Sequence, residues 1–222
     1  MAMIEFGRPD GGICRGYLAT AGSGLPGVVV IQEWWGLNAQ ICGIADRLAQ
    51  AGYNALAPDL FEGRIAQDAD EASHLMTGLD FPGATHQDIR GAVRYLGASS
   101  PKVGVMGFCM GGALAVASAV HVPEVTAAVC FYGMPPKEFA DPAQIRIPFQ
   151  GHFAKRDTWV TPHAVRALEN AMKAAGNPPE IYEYDADHAF FNQMRPEVHD
   201  AQCSRQAWDR TLSFLQRHLQ AG

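Results

Sequence analysis

Gly107 and Gly111 stand two residues on either side of Cys109, between an apolar run and an alanine-rich run. Residues 102–108 predict a buried strand, and residues 113–120 predict a helix. A turn that joins a strand to a helix so abruptly strains the backbone of its central residue, and a side chain at either glycine would crowd the adjacent strand and helix. We therefore expect a strand–turn–helix unit with Cys109 at its tip.

A cysteine at such a tip lies at the N-terminus of the helix, where backbone N–H groups and the helix dipole favour a thiolate. The spacing matches the glycine–x–nucleophile–x–glycine elbow of α/β-hydrolases, with cysteine in place of serine. The alternative is a buried structural cysteine in an ordinary strand–helix turn, since free cysteines are among the most buried residues. A downstream acid followed by a histidine would favour the nucleophile.

Composition excludes several classes of protein. The chain has 222 residues, 48% of them hydrophobic, which suits one sizeable core and predicts a single domain over 1–222. Its 17 basic and 23 acidic residues give a net charge of −6, which does not favour a nucleic-acid partner. No apolar run reaches membrane-spanning length, and residues 1–10 lack the pattern of a signal peptide, so no membrane association is expected.

The cysteines point to the redox compartment. Five of them are widely spread, without a C-x-x-C pair, which argues against a disulfide framework and against a zinc site. This usage suits a reducing cytoplasm, which a catalytic thiol also needs. We expect no metal and no other cofactor.

Strands and helices alternate along the chain. Strands are expected at 27–33, 53–57, 102–108, 126–132, 147–152 and 180–184, with an antiparallel edge strand at 13–20. Helices are expected at 38–52, 67–77, 84–96, 162–175 and 204–219. The alternation predicts a mostly parallel sheet with helices on both faces and a site at the carboxyl ends of the strands.

Asp157 and His188 follow two of these strands, in the chain order that the elbow requires. His152 is the main rival among the eight histidines, but it precedes the acid. Asp185 and Asp187 flank His188, although a residue next to it in a loop usually points away. We therefore expect Asp157 and His188 to meet Cys109.

These residue types predict nucleophilic catalysis. Cys109 would attack, His188 would take its proton and later pass it to the leaving group, and Asp157 would orient the imidazole. The oxyanion would be bound by the backbone N–H of Met110 and by one from around Trp34.

Several motifs together resemble the dienelactone hydrolase (carboxymethylenebutenolidase) family. They are 32–38 (QEWWGLN), 57–61 (APDLF), 107–112 (GFCMGG), 132–133 (YG), Asp157 and 187–190 (DHAF). The resemblance runs from about residue 27 to the C-terminal helix. It implies an α/β-hydrolase fold with an eight-stranded, mainly parallel sheet and no large lid. It also implies that Cys109, His188 and Asp157 hydrolyse a small-molecule lactone or ester through an acyl-cysteine.

The resemblance adds Glu33 to the catalytic residues. In the family, a glutamate at this position holds the resting thiol, and substrate binding displaces it so that it helps to form the thiolate. From the residues alone, Glu33 is also compatible with a carboxylate hydrogen-bonded to backbone. A buried carboxylate beside two tryptophans needs a partner in either case.

The substrate is less constrained, because the arginines that bind a substrate carboxylate in the family are out of register. Asn192 stands four residues after His188, where the family has an arginine, and residues 67–77 contain none. Losing an arginine removes a fixed charge and a bidentate donor. Arg64 and Arg195 lie nearby in the sequence.

Aromatic residues suggest an apolar pocket wall, although most are equally compatible with the core: Trp34, Trp35, Phe61, Phe81, Phe190 and Phe191. Substrate contacts are expected from Trp35, Phe61, Arg64, Phe190, Asn192 and Arg195.

Three classes of function follow. The first is a lactone or ester hydrolase. The second is a thioesterase, or a promiscuous carboxylesterase on a neutral apolar substrate. The third is a hydrolase fold retained for binding or as a redox-sensing thiol, which the complete set of nucleophile, base and acid disfavours. A monomer or a homodimer is expected.

Overall fold

The structure, a computed structural model, describes residues 1–220 and contains an eight-stranded sheet. The strands are β1 (Ala2–Gly7), β2 (Ile13–Ala19), β3 (Gly27–Ile31), β4 (Asn54–Pro58), β5 (Val103–Phe108), β6 (Ala127–Phe131), β7 (Phe149–Ala154) and β8 (Glu180–Tyr184). Their order across the sheet is β1-β2-β4-β3-β5-β6-β7-β8. Pairing is antiparallel from β1 to β4 and parallel from β4 to β8. The predicted mostly parallel sheet of an α/β-hydrolase is confirmed.

Helices cover both faces of this sheet. They are α1 (Ala39–Gln50), α2 (Ala69–Thr77), α3 (Phe81–Gly83), α4 (Arg90–Gly97), α5 (Met110–His121), α6 (Pro162–Ala174) and α7 (Ala201–Leu215). One apolar cluster lies between the sheet and α4, α5 and α6, and the other lies between the sheet and α1 and α7. None of the helices within residues 1–220 is long and apolar enough to cross a membrane. Residues 221 and 222, which end the expected single domain over 1–222, lie outside the described part.

Several expected boundaries were wrong. The strand expected at 13–20 is not the edge of the sheet, because β1 pairs outside it. β1 had no clear sequence signal, since Phe6 is its only buried residue. The helix expected at 84–96 extends from α3 through a π-helical segment (Ala84–Ile89) into α4. The C-terminal helix starts before 204, because Asp200 caps it by accepting from the Cys203 N–H at 2.8 Å.

The turn between β5 and α5 has the geometry that its glycines predict. Cys109 has φ 54° and ψ −115°, a strained conformation for a residue with a side chain. A Cβ at Gly107 would lie 1.9 Å from the Gly111 carbonyl oxygen, and a Cβ at Gly111 would lie 2.4 Å from the Gln32 carbonyl oxygen. The helix backbone therefore lies directly against the end of β3.

We predict that Gly111→Ala lowers the free energy of unfolding by about 3 kcal/mol or more. The added Cβ would overlap the backbone at the end of β3, and neither that backbone nor the helix backbone of α5 can shift without a large energetic cost. Gly43→Ala in α1 is the control, since a Cβ there has nothing within 4 Å. It should raise the stability by about 0.5–1 kcal/mol. Urea denaturation followed by circular dichroism measures both, and equal stability of Gly111→Ala and wild type would refute the close contact.

Candidate active site

Asp157 and His188 are brought together at the carboxyl ends of β7 and β8. The Asp157 side chain is fully buried, and its Oδ2 lies 2.7 Å from Nδ1 of His188. Its Oδ1 accepts from the backbone N–H groups of Trp159, at 2.8 Å, and Val160, at 2.9 Å. The carboxylate is therefore fixed on both oxygens, and it holds His188 with Nδ1 protonated.

His188 also lines the same cleft as Cys109, and interactions with Cys109 contribute to the pKa of the ring. Because Nδ1 is engaged by Asp157, Nε2 is the nitrogen left to exchange a proton with the thiol. Burial opposes the charged imidazolium, but the hydrogen bond to Asp157, the interactions with Cys109 and the charge of Asp157 outweigh it and raise the pKa of His188 to about 10. The imidazolium is therefore the favoured form of the ring, so a proton that passes from the Cys109 thiol to His188 is held there.

Cys109 lies half-buried on the floor of a cleft. Its own N–H donates to the Phe131 carbonyl at 3.0 Å, which ties the elbow to the end of β6. Met110 is the first residue of α5, so its N–H belongs to the first turn, where amides have no partner within the helix. Met110 and Trp34 both line the cleft beside Cys109.

Glu33 has two side-chain partners. It is 3% exposed, its Oε1 accepts from the Tyr132 hydroxyl at 3.1 Å, and its Oε2 accepts from Nδ2 of Asn192. Burial raises the pKa of Glu33, and the two hydrogen bonds act against that rise. Within the described residues, the Glu33 side chain bonds to these two side chains. It bonds neither to the Cys109 thiol, which the resemblance implies, nor to the backbone, which was the alternative.

The cleft has a volume of about 270 Å³ and a largely apolar wall. Its larger apolar side chains are Trp34, Trp35, Met76, Phe81, Met134 and Trp159. The Trp34 ring packs edge-on against both Trp35 and Trp159, with centroids 5.4 and 5.8 Å apart. Sequence reasoning missed Trp159, which is 68% exposed, although its position two residues after Asp157 was a usable signal.

The expected substrate contacts separate into two groups. Trp35 and Arg195 line the cleft, and the Arg195 guanidinium lies 5.4 Å from the Trp35 ring centroid and 2.7 Å from the Glu197 carboxylate. Phe61 and Phe190 lie in the core instead, 1% and 0% exposed.

The two remaining expected contacts also face elsewhere. Asn192 bonds to Glu33, as described above. Arg64 lines a neighbouring depression, where its Nε donates to the Phe61 carbonyl at 3.2 Å.

The rival histidine has a different environment. His152 is fully buried, with ring nitrogens 2.8 Å from the Tyr184 hydroxyl and 2.9 Å from Oε1 of Gln150. Burial lowers its pKa to about 3, so it stays neutral. Asp185 and Asp187 point away from His188, as expected, and pair with Arg156 on the surface.

All five cysteines are free. Within residues 1–220, no three His, Cys, Asp or Glu side chains are grouped so that they could hold a metal ion.

Comparisons by family model, by sequence and by structure all find proteins of one family. The model of the dienelactone hydrolase family matches residues 14–219. A protein named usf from Aquifex pyrophilus is 36% identical, and the match covers 98% of each chain. An Aquifex aeolicus protein provisionally named a carboxymethylenebutenolidase is 32% identical, again over 98% of each chain. A crystal structure from Klebsiella pneumoniae, provisionally named a dienelactone hydrolase, has a TM-score of 0.86 at 25% identity and covers 98% of this chain and 100% of its own.

We predict that Asp157→Asn lowers the pKa of His188 by at least about one unit, because the charge that favours the imidazolium is lost. NMR titration of the His188 ring measures this. His152 is the internal reference, because its pKa of about 3 keeps it neutral throughout the titration. The folded pKa of about 10 lies above the ordinary 6.5, so the stability that His188 contributes is complete below pH 6.5 and is lost as the pH rises towards 10.

The stability advantage of wild type over Asp157→Asn should therefore shrink across that window. An unchanged His188 midpoint in the variant would refute the assignment.

Proposed function

This chain belongs to the dienelactone hydrolase family and is a carboxylic ester hydrolase, and from that premise we propose that it cleaves lactones or esters through an acyl intermediate on Cys109. The observation that carries the proposal is the 2.7 Å hydrogen bond from His188 to Asp157, with His188 and Cys109 lining the same cleft. Cys109 stands at a strained backbone position, His188 has a raised pKa, and Asp157 is fixed by hydrogen bonds on both carboxylate oxygens.

The reaction has two steps. In the first step the thiol proton rests on His188 and Sγ of Cys109 attacks the substrate carbonyl, and the oxyanion is bound by the N–H groups of Met110 and the Trp34 loop. Collapse expels the alcohol, which receives the proton from His188, and leaves a thioester on Cys109. In the second step a water molecule gives its proton to His188 and attacks the thioester, which releases the acid and restores the thiol.

The cleft favours a neutral substrate over a carboxylated one. Asn192, where the family has an arginine, is turned to Glu33, and Arg195 is already paired with Glu197. The remaining wall offers aromatic and thioether side chains for an apolar acyl or alcohol group. This lining also supports the second candidate, a thioesterase or promiscuous carboxylesterase on a neutral apolar substrate, which uses the same acyl-cysteine.

We predict that Cys109→Ala lowers kcat for a chromogenic ester by about 10⁴-fold or more without unfolding the protein, because the covalent step is lost. Cys42→Ala, at a half-buried cysteine in α1, is the matched control and should keep full activity. Iodoacetamide should inactivate the wild type with a single label on Cys109. Complete loss of activity with the label on another cysteine would contradict the proposal.

We also predict that neutral lactones are hydrolysed at rates comparable to carboxylated lactones of similar size. Comparison of kcat/KM for a matched pair measures this. Arg195→Met, which keeps the length of the side chain, should leave the ratio nearly unchanged. A preference of about a hundredfold for the carboxylated lactone, or about 2.7 kcal/mol, that disappears in Arg195→Met would show that Arg195 binds the carboxylate.

A further inference from the structure

The Glu33 carboxylate connects three loops that build the cleft. Glu33 follows β3, Tyr132 follows β6, and Asn192 lies in the loop after β8. Tyr132 donates to one carboxylate oxygen and Asn192 donates to the other, and all three residues are buried. The hydrogen bonds therefore fix the positions of the three loops relative to one another.

Asn192 has one fixed orientation. Its Oδ1 accepts from the Met194 N–H at 2.9 Å, while its Nδ2 donates to Glu33. A flipped amide would lose both bonds. Because Asn192 lies four residues after His188, its bond to Glu33 anchors the loop that carries the histidine.

Tyr132 provides the second connection to His188. The two rings pack edge-on, with centroids 5.1 Å apart, and the Tyr132 backbone has φ 38°. The hydroxyl that Glu33 holds therefore fixes a ring that contacts the histidine ring. Glu33 itself is directly followed by Trp34, so the same carboxylate also fixes the loop with the second oxyanion donor.

We propose that Glu33 and Asn192 are positioning residues, whose hydrogen bond keeps the His188 loop and the Trp34 loop in register with Cys109. The pair needs one carboxylate and one amide, and the two groups can exchange positions. The inference rests on the proposed function. It differs from the family role implied for Glu33, in which the carboxylate must stand at position 33 to help deprotonate the thiol.

The test is an exchange of the two groups. Glu33→Gln leaves a single acceptor oxygen for the donors Tyr132 and Asn192, so kcat should fall by about tenfold or more. Asn192→Asp places two carboxylates face to face. In the combined variant E33Q/N192D, the new amide at position 33 can donate to the new carboxylate at position 192 and still accept from Tyr132. Its kcat should therefore recover at least about tenfold over either single variant.

The pH profile adds a readout that a merely structural role would not move. In Asn192→Asp the two carboxylates share a proton, and activity should fall as the pH rises and that proton is lost. The combined variant should regain the wild-type profile. Gln193→Glu is the matched control, because it adds a charge one residue away on an exposed side chain and should leave the profile unchanged.

The outcomes separate the alternatives. A folded E33Q/N192D no more active than Glu33→Gln would overturn the proposal and show that the carboxylate must stand at position 33. If the combined variant does not fold, an unchanged pH profile of Asn192→Asp would overturn it instead. Melting temperatures of the wild type, the two single variants and the combined variant measure the coupling of the pair independently of enzymatic activity. Hydrolysis that does not depend on Cys109 would then refute the proposed function, while the coupling in melting temperature would remain.

Discussion

The close contact between the first turn of α5 and the ends of β3 and β6 is the constraint on which the site depends. It requires glycine at positions 107 and 111, since a Cβ at either position would overlap backbone carbonyl groups. The contact places Cys109 at a helix N-terminus, beside the loops that follow β3 and β6. Glu33, Trp34 and Tyr132 therefore line the same cleft as Cys109.

The two buried carboxylates near this thiol, Asp157 and Glu33, have different partners. On one side, Asp157 accepts three hydrogen bonds and raises the pKa of His188 against the effect of burial. On the other side, Glu33 is bound by a hydroxyl and an amide, both uncharged. Within residues 1–220, the site thus combines a histidine of raised pKa with a buried carboxylate whose two hydrogen-bond donors are both uncharged. This arrangement supports the proposal that the substrate carries no carboxylate.

The spacing of residues along the chain predicted those parts of the site that depend on short stretches of sequence. The elbow and the strand-end positions of Asp157 and His188 follow from glycines, apolar runs and chain order, and the structure places them together. The partners of Glu33 were not predictable, because they lie 99 and 159 residues away in the sequence. Phe61 and Phe190 were expected at the pocket wall, and the structure buries both, since an aromatic next to a strand end carries no signal for which side it faces. β1 was missed because one buried residue produces no alternation.

The covalent intermediate on Cys109 is the central claim, and trapping it is the most direct test. The enzyme is mixed with an activated ester, quenched in acid within milliseconds and digested, and the peptides are examined by mass spectrometry. The account predicts the mass of the acyl group on the peptide that contains Cys109, appearing before product and disappearing on a chase with buffer. Turnover with no acyl group on Cys109 at any time, or with the acyl group on another residue, would contradict it.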